Sequence, residues 1–202
     1  MTQPVLHPTK QLLITAAVEL LDANPGERVL VDDVLAHSQI SRGSLYHHFS
    51  DFNDLVEAAL LVQFTRFVDA GALWMTSLLG SVTSASELRQ ALFAITVESQ
   101  SDKYAASRLL RTRILGEADG NEGFKAKLQG EVDRLTDTLA DLIQEAINRG
   151  WFRDRFDART IALFIQAYSL GKVLNDVSAE KVSEDQWNLL INSIICDLFI
   201  ND

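Results

Sequence analysis

Ser41-Arg42-Gly43-Ser44-Leu45-Tyr46-His47-His48-Phe49 decides how this chain is read. Ser41 is a good helix N-cap, because its hydroxyl can accept from a backbone N–H one turn further on. Leu45 and Phe49 stand four residues apart and face a core, which leaves Arg42, Ser44, Tyr46, His47 and His48 outside as donors of polar contacts. The run contains no acid. A short helix with its own start and a polar outer face is the pattern of a segment that lies in the major groove of DNA.

Upstream, Leu12, Leu13, Ala16, Ala17, Leu20 and Leu21 recur at helical spacing between Thr9 and Asn24, and Asn24-Pro25-Gly26 closes this first helix. A short second helix is expected from Asp32 to Ser38, with Val34 and Leu35 turned inward. Gln39-Ile40-Ser41 then supplies the tight turn into the polar run. Helix, short helix, three-residue turn and polar helix add up to a helix-turn-helix.

Over Leu12 to Leu55, with the Ser-x-Gly-x-Leu-Tyr-x-His-Phe core at Ser41 to Phe49, the chain resembles the N-terminal DNA-binding domain of the TetR family of bacterial one-component regulators. The resemblance implies an all-α fold of about nine helices. A helix-turn-helix head over residues 1–50 would precede a larger helical ligand-binding and dimerisation domain over residues 51–202. It also implies that Arg42, Ser44 and His47 face base edges, that Ser41, Tyr46 and His48 hold phosphates, and that Gly43 lets the helix approach the groove closely. The implied function is a ligand-responsive repressor that binds a palindromic operator as a homodimer.

Several positions depart from that pattern. Gln39 stands where the family usually has Gly, so either a non-glycine residue takes a left-handed conformation at some cost or the turn differs. Val29-Leu30-Val31 replaces a Thr-rich helix start and offers no side-chain cap. Phe52 replaces a usual Lys, and Asp32 and Asp33 add negative charge beside the expected DNA surface. Residues 1–60 hold three cations against eight acids, half of the chain's net charge of −10. This acidity favours a second expectation, an interaction module whose head binds a protein partner or binds DNA only weakly. His37, His47 and His48 lie near the same surface, so DNA binding is expected to strengthen below neutral pH.

Length and a 47% hydrophobic composition allow a sizeable core. Cys196 is the single cysteine, which excludes an intramolecular disulfide and a cysteine metal cluster and suits a reducing compartment. Met1 to Pro8 is polar and proline-bearing, so no signal peptide is expected, and no apolar run approaches the about 18 residues of a membrane span. A cytoplasmic protein is the expectation.

Beyond the head the pattern is helical throughout. Asp51 caps a long fourth helix to about Leu79, and Ser84 or Ser86 starts a fifth to about Gln100. Asp102 opens a sixth to Leu115, and a seventh runs from about Phe124 to Asn148 with Gly150 as its stop. Helices over about 157–176, capped by Asp157, and 183–199, begun by Ser183, complete the chain. Both are apolar on more than one face, which predicts contact with a second copy as well as with their own core. Phe64, Phe67, Trp74, Phe93, Tyr104, Leu109, Phe164 and Tyr168 are the expected lining of an effector pocket. Arg108, Arg111, Gln166 or Asn175 would orient the effector, an unknown small molecule.

Enzyme chemistry finds no footing in these residues. His47 and His48 project about 100° apart on a helix and cannot chelate one metal together. There is no His-Glu-x-x-His, no phosphate-cradling glycine loop and no Gly-x-Ser-x-Gly elbow, so no catalysis, metal or cofactor is expected. With so few cations in the head, DNA affinity measured against salt concentration should give a shallow log–log slope, on the order of a few ions released per dimer. A steep slope overturns that reading of the head.

Overall fold

The structure, a computed structural model, describes residues 6–24 and 27–200, with the side chains of residues 78 and 79 left out. The expected Pro25-Gly26 stop and the leading part of the Met1 to Pro8 segment, residues 1–5, lie outside the described residues. Among the described residues the regular structure is helical, apart from one isolated bridge between Phe152 and Ile200. Nine helices run seven residues or more, the expected number, and a tenth is a single turn.

The first helix, α1 (Pro8–Ala23), starts on Pro8, whose fixed φ suits the first helical position, with His7 Nδ1 accepting from the Thr9 N–H at 3.3 Å. It buries Leu13, Ala16, Ala17 and Leu21 and adds Ile14 and Val18, while Leu12 faces solvent. Helix α2 (Val31–Ser38) begins at Leu30 with no side-chain cap, as Val29-Leu30-Val31 led us to expect. Gln39 ends it in left-handed backbone, at φ 57° and ψ 23°. Helix α3 (Arg42–His48) follows, its first turn closed by Ser41 Oγ accepting from the Ser44 N–H at 3.2 Å.

Helix α1 packs on α2, on α3 and on α4 (Phe52–Gly80), so the head is seated on the first half of a long helix. Asp22 fixes that seat, accepting from Gln63 Nε2 at 2.7 Å and from Arg66 Nη1 at 3.4 Å. The remaining helices are α5 (Ala85–Gln100), α6 (Ala105–Gly116), α7 (Glu122–Asn148), α8 (Ala158–Gly171), the single turn α9 (Val173–Asp176) and α10 (Glu184–Phe199). Their starts are set locally. Ser84, Asp157 and Ser183 each accept from a backbone N–H three residues on, and Gly150 stops α7 at φ +72°. Asn121 begins α7 two residues before the expected start by accepting from the Phe124 N–H at 2.9 Å.

Two expectations need correction. The sixth helix does not open at Asp102: a 3-10 turn over Asp102–Tyr104 comes first. The eighth does not run unbroken to Asp176, because it ends at Gly171 and resumes as α9 after Lys172. Gly171 weakens the helix there, and two buried cations draw the next turn inward. Lys172 has no exposed side-chain surface; its ammonium donates to the Gln100 carbonyl and lies 3.4 Å from Asp102 and 3.7 Å from Glu184. Asp176 takes Nε and Nη2 of the fully buried Arg108 at 2.6 and 2.8 Å.

The turn residue gives the test of the head. A left-handed L-residue costs about 1–2 kcal/mol, of which a glycine loses about 0.4–1 kcal/mol again through the unfolded chain. Gln39→Gly should therefore raise unfolding stability by about 0.5–1 kcal/mol in urea denaturation. A loss of stability overturns the view that this turn is strained.

Candidate nucleic-acid interface

Helix α3 is held from behind and open in front. Leu45 and Phe49 are buried, while Arg42, Gly43, Tyr46 and His47 are exposed and Ser44 and His48 are half-buried. A Cβ added at Gly43 would meet no atom within 4 Å, so nothing inside the chain demands glycine there.

The outward side chains are already partly engaged. Arg42 Nη2 donates to Asp32 of α2, and both groups are solvent-exposed, so the pair is weak and exchangeable. The Ser41 and Ser44 hydroxyls share a hydrogen bond at 3.0 Å. His37 shares a hydrogen bond with Glu19 at 2.6 Å and bridges α2 to α1, a link that the sequence did not disclose. His48 packs between His7 and His47, with ring centroids 4.7 and 5.1 Å away. Lys10 Nζ stands 4.8 Å from the centre of the Phe49 ring. His7 and Lys10 thus join this surface although the sequence reading passed over them. The signal was the place of His7 just before a helix-starting proline.

The expected effector residues separate into three groups. Phe64 is buried beside Phe67, with ring centroids 6.2 Å apart, and the Arg111 guanidinium covers Phe67 at 4.1 Å. Burial, with Arg108 adding repulsion, pushes the Arg111 pKa down to about 10, so it remains a cation at neutral pH. Trp74, Phe93, Tyr104 and Leu109 are exposed, and the Tyr104 hydroxyl donates to Glu98 at 3.1 Å. Phe164 packs on Tyr168 and Phe199, and Tyr168 alone of the eight aromatic and aliphatic candidates lines a cavity of about 40 Å³. That cavity lies between α4, α5, α7, α8 and α10 and is mainly aliphatic. Of the polar candidates, Arg108 is spent on Asp176, Gln166 donates to Thr136 at 3.0 Å, and Asn175 accepts from the Val182 N–H at 2.8 Å. Among the described residues no group of three or more His, Cys, Asp or Glu side chains converges as a metal site. No described helix is long and apolar enough to cross a membrane.

Residues 13–59 match the family model described as bacterial regulatory proteins, tetR family. The fold is similar to a solved structure from Mesorhizobium loti assigned as a TetR-family transcriptional regulator, at 14% identity, 96% of this chain, 97% of the other and a TM-score of 0.69. It is also similar to a Saccharomonospora viridis protein, assigned as a transcriptional regulator and solved with choline, at 18% identity, 96% and 98% coverage and a TM-score of 0.67. Salmonella enterica GusR matches at 18% identity, 98% and 97% coverage and a TM-score of 0.62. No curated protein sequence matches the chain. The resemblance to the TetR family is borne out, by sequence in the head and by fold over nearly the whole chain.

Within the histidine cluster, His48 is held toward its neutral form. Desolvation first, then His7, His47 and Lys10, hold the His48 pKa below its ordinary value of 6.5. Below that value the unfolded chain takes up the proton more readily than the folded one, so stability falls as pH drops through 6.5. Urea unfolding at pH 7.5 and 5.5 should register that loss, and His48→Gln should reduce it. An unchanged pH dependence in the variant sinks the assignment to His48.

Proposed function

We propose that this protein is a DNA-binding transcriptional regulator, a ligand-responsive repressor that reads a palindromic operator as a homodimer. The observation that carries the reading is α3: an N-capped, acid-free helix, anchored by Leu45 and Phe49, that turns Arg42, Tyr46 and His47 outward. Arg42, Ser44 and His47 are assigned to base edges, Ser41, Tyr46 and His48 to phosphates, and Gly43 to close approach. Residues 1–50 form the reading head and 51–202 the body that binds ligand and pairs with its copy.

Apolar side chains left in water support the pairing. Leu163 of α8 and Leu189 and Leu190 of α10 are each more than half exposed. Covering them with the same helices of a second copy gives a two-fold dimer, whose recognition helices can meet half-sites about 34 Å apart. The reading needs no catalysis and places the protein in the cytoplasm.

One observation favours the protein-partner alternative: Arg42 is paired with Asp32 within an acidic head. The test is retention of the DNA flanking the protein's own gene at low and moderate salt. Sequence-specific retention supports the repressor, and none at low salt favours the partner module. Arg42→Ala should relax base preference at one position of each half-site, at about 1–3 kcal/mol. Tyr46→Ala should weaken binding to all sequences alike.

A further inference from the structure

The cavity in the body is walled by carbon. Leu88 and Leu92 of α5, Leu139 and Ile143 of α7 and Ile195 of α10 surround it. Among the described residues no Asp, Glu, Lys, Arg or His lines it. Thr96 and Tyr168 are its polar side chains. Burial raises the Tyr168 pKa, which keeps the phenol neutral.

Cations elsewhere in the body have other work. Arg108 is clasped by Asp176, Lys172 by the Gln100 carbonyl, and Arg111 lies over Phe67. An ionised group entering this space would lose its hydration with no partner to replace it. A hydrocarbon body gains with every methylene it buries. The half-buried Met75 on the wall, flexible along its side chain, can change rotamer to enlarge a space of about 40 Å³.

We propose that the effector is an uncharged, largely hydrocarbon molecule with at most one hydroxyl or carbonyl group, which the Thr96 and Tyr168 hydroxyls take. This class rests on the ligand-responsive reading above. It excludes carboxylates, phosphates and ammonium compounds from the cavity.

The experiment titrates the full chain with n-alkan-1-ols of increasing length, and with n-alkanoates and n-alkylammonium ions of the same lengths, by calorimetry and thermal shift at pH 7.5. Alcohol affinity should rise about fourfold per added methylene until the space is filled. Charged homologues should bind at least about a hundredfold more weakly. Ala146→Phe, which fills the cavity, should abolish alcohol binding. Should that variant fail to fold, Thr96→Val removes the hydroxyl at nearly constant shape and should weaken alcohols about three- to tenfold.

Charged homologues that bind as tightly overturn the proposal, as does a folded protein that takes up no alcohol of any length. A folded Ala146→Phe that binds alcohols unchanged, or a Thr96→Val that binds them unchanged, overturns it too. Retention of the flanking DNA is scored in parallel. Alcohol binding without DNA retention upholds the ligand class and removes the regulator, whereas DNA retention without alcohol binding does the reverse.

Discussion

Two buried cations at the C-terminal end of α5 hold the body together. A helix ends with carbonyls that have no partner in the helix and carry partial negative charge. Here Arg108 Nη1 donates to the carbonyls of Ser99 and Ser101 at 3.1 and 3.2 Å, and Lys172 donates to that of Gln100. Each cation is balanced in turn, Arg108 by Asp176 and Lys172 by Asp102 and Glu184. Hydrogen bonding to Lys172 holds the Asp102 carboxyl below the ordinary range. Burying such charges is expensive and removing one partner is worse, so α5, α6, α9 and the start of α10 can only move as a group. Trp187 Nε1, donating to Gln100 Oε1 at 3.1 Å, ties α10 to the same point.

What the sequence disclosed is what depends on near neighbours. Ser41, Ser84, Asp157 and Ser183 were legible as caps because a cap needs one side chain and the turn after it. Gln39 was legible only as one of two outcomes, a left-handed residue or a different turn, because the resembled family has Gly there, and the backbone takes the first. The clasp was not legible: Arg108 and Asp176 lie 68 residues apart, and an arginine on an amphipathic helix looks the same whether it meets a ligand or a carboxylate. The break after Gly171 was hidden for the same reason, since apolar spacing continues across it while the cause lies on α5 and α6. Of the aromatic residues expected around an effector, Tyr168 lines this cavity. Aromatic size is conspicuous in a sequence, but Trp74 and Phe93 are exposed, and most of the wall is aliphatic, with Phe152, Tyr168 and Phe199 as its aromatic members.

Within the head, the acidic surroundings and the polar helix belong to one arrangement. Asp32 stands at the uncapped start of α2, where a carboxylate favours the helix dipole, and it also accepts from Arg42 on α3. Glu19 meets His37 in the same way between α1 and α2. Two of the acids counted against DNA affinity therefore also make weak, exposed contacts between the helices of the head. Their charge remains a repulsion toward phosphate, which is why placement of the few cations matters more here than their number.

Helix α4 is the element through which the two halves can influence one another. Its N-terminal half meets α1 through Gln63 and Arg66, and Glu57 accepts from Asn121 at 2.5 Å in the turn before α7. Its C-terminal half brings Met75 to the cavity wall. Gln63 and Met75 are separated by about 18 Å of helix at 1.5 Å per residue. A rod of that length can pass a tilt along without unwinding, and the clasp ties down the C-terminal end of α5. In the proposed dimer, a molecule bound in the cavity would change the separation of the two heads only to the extent that it binds one tilt of α4 better than the other.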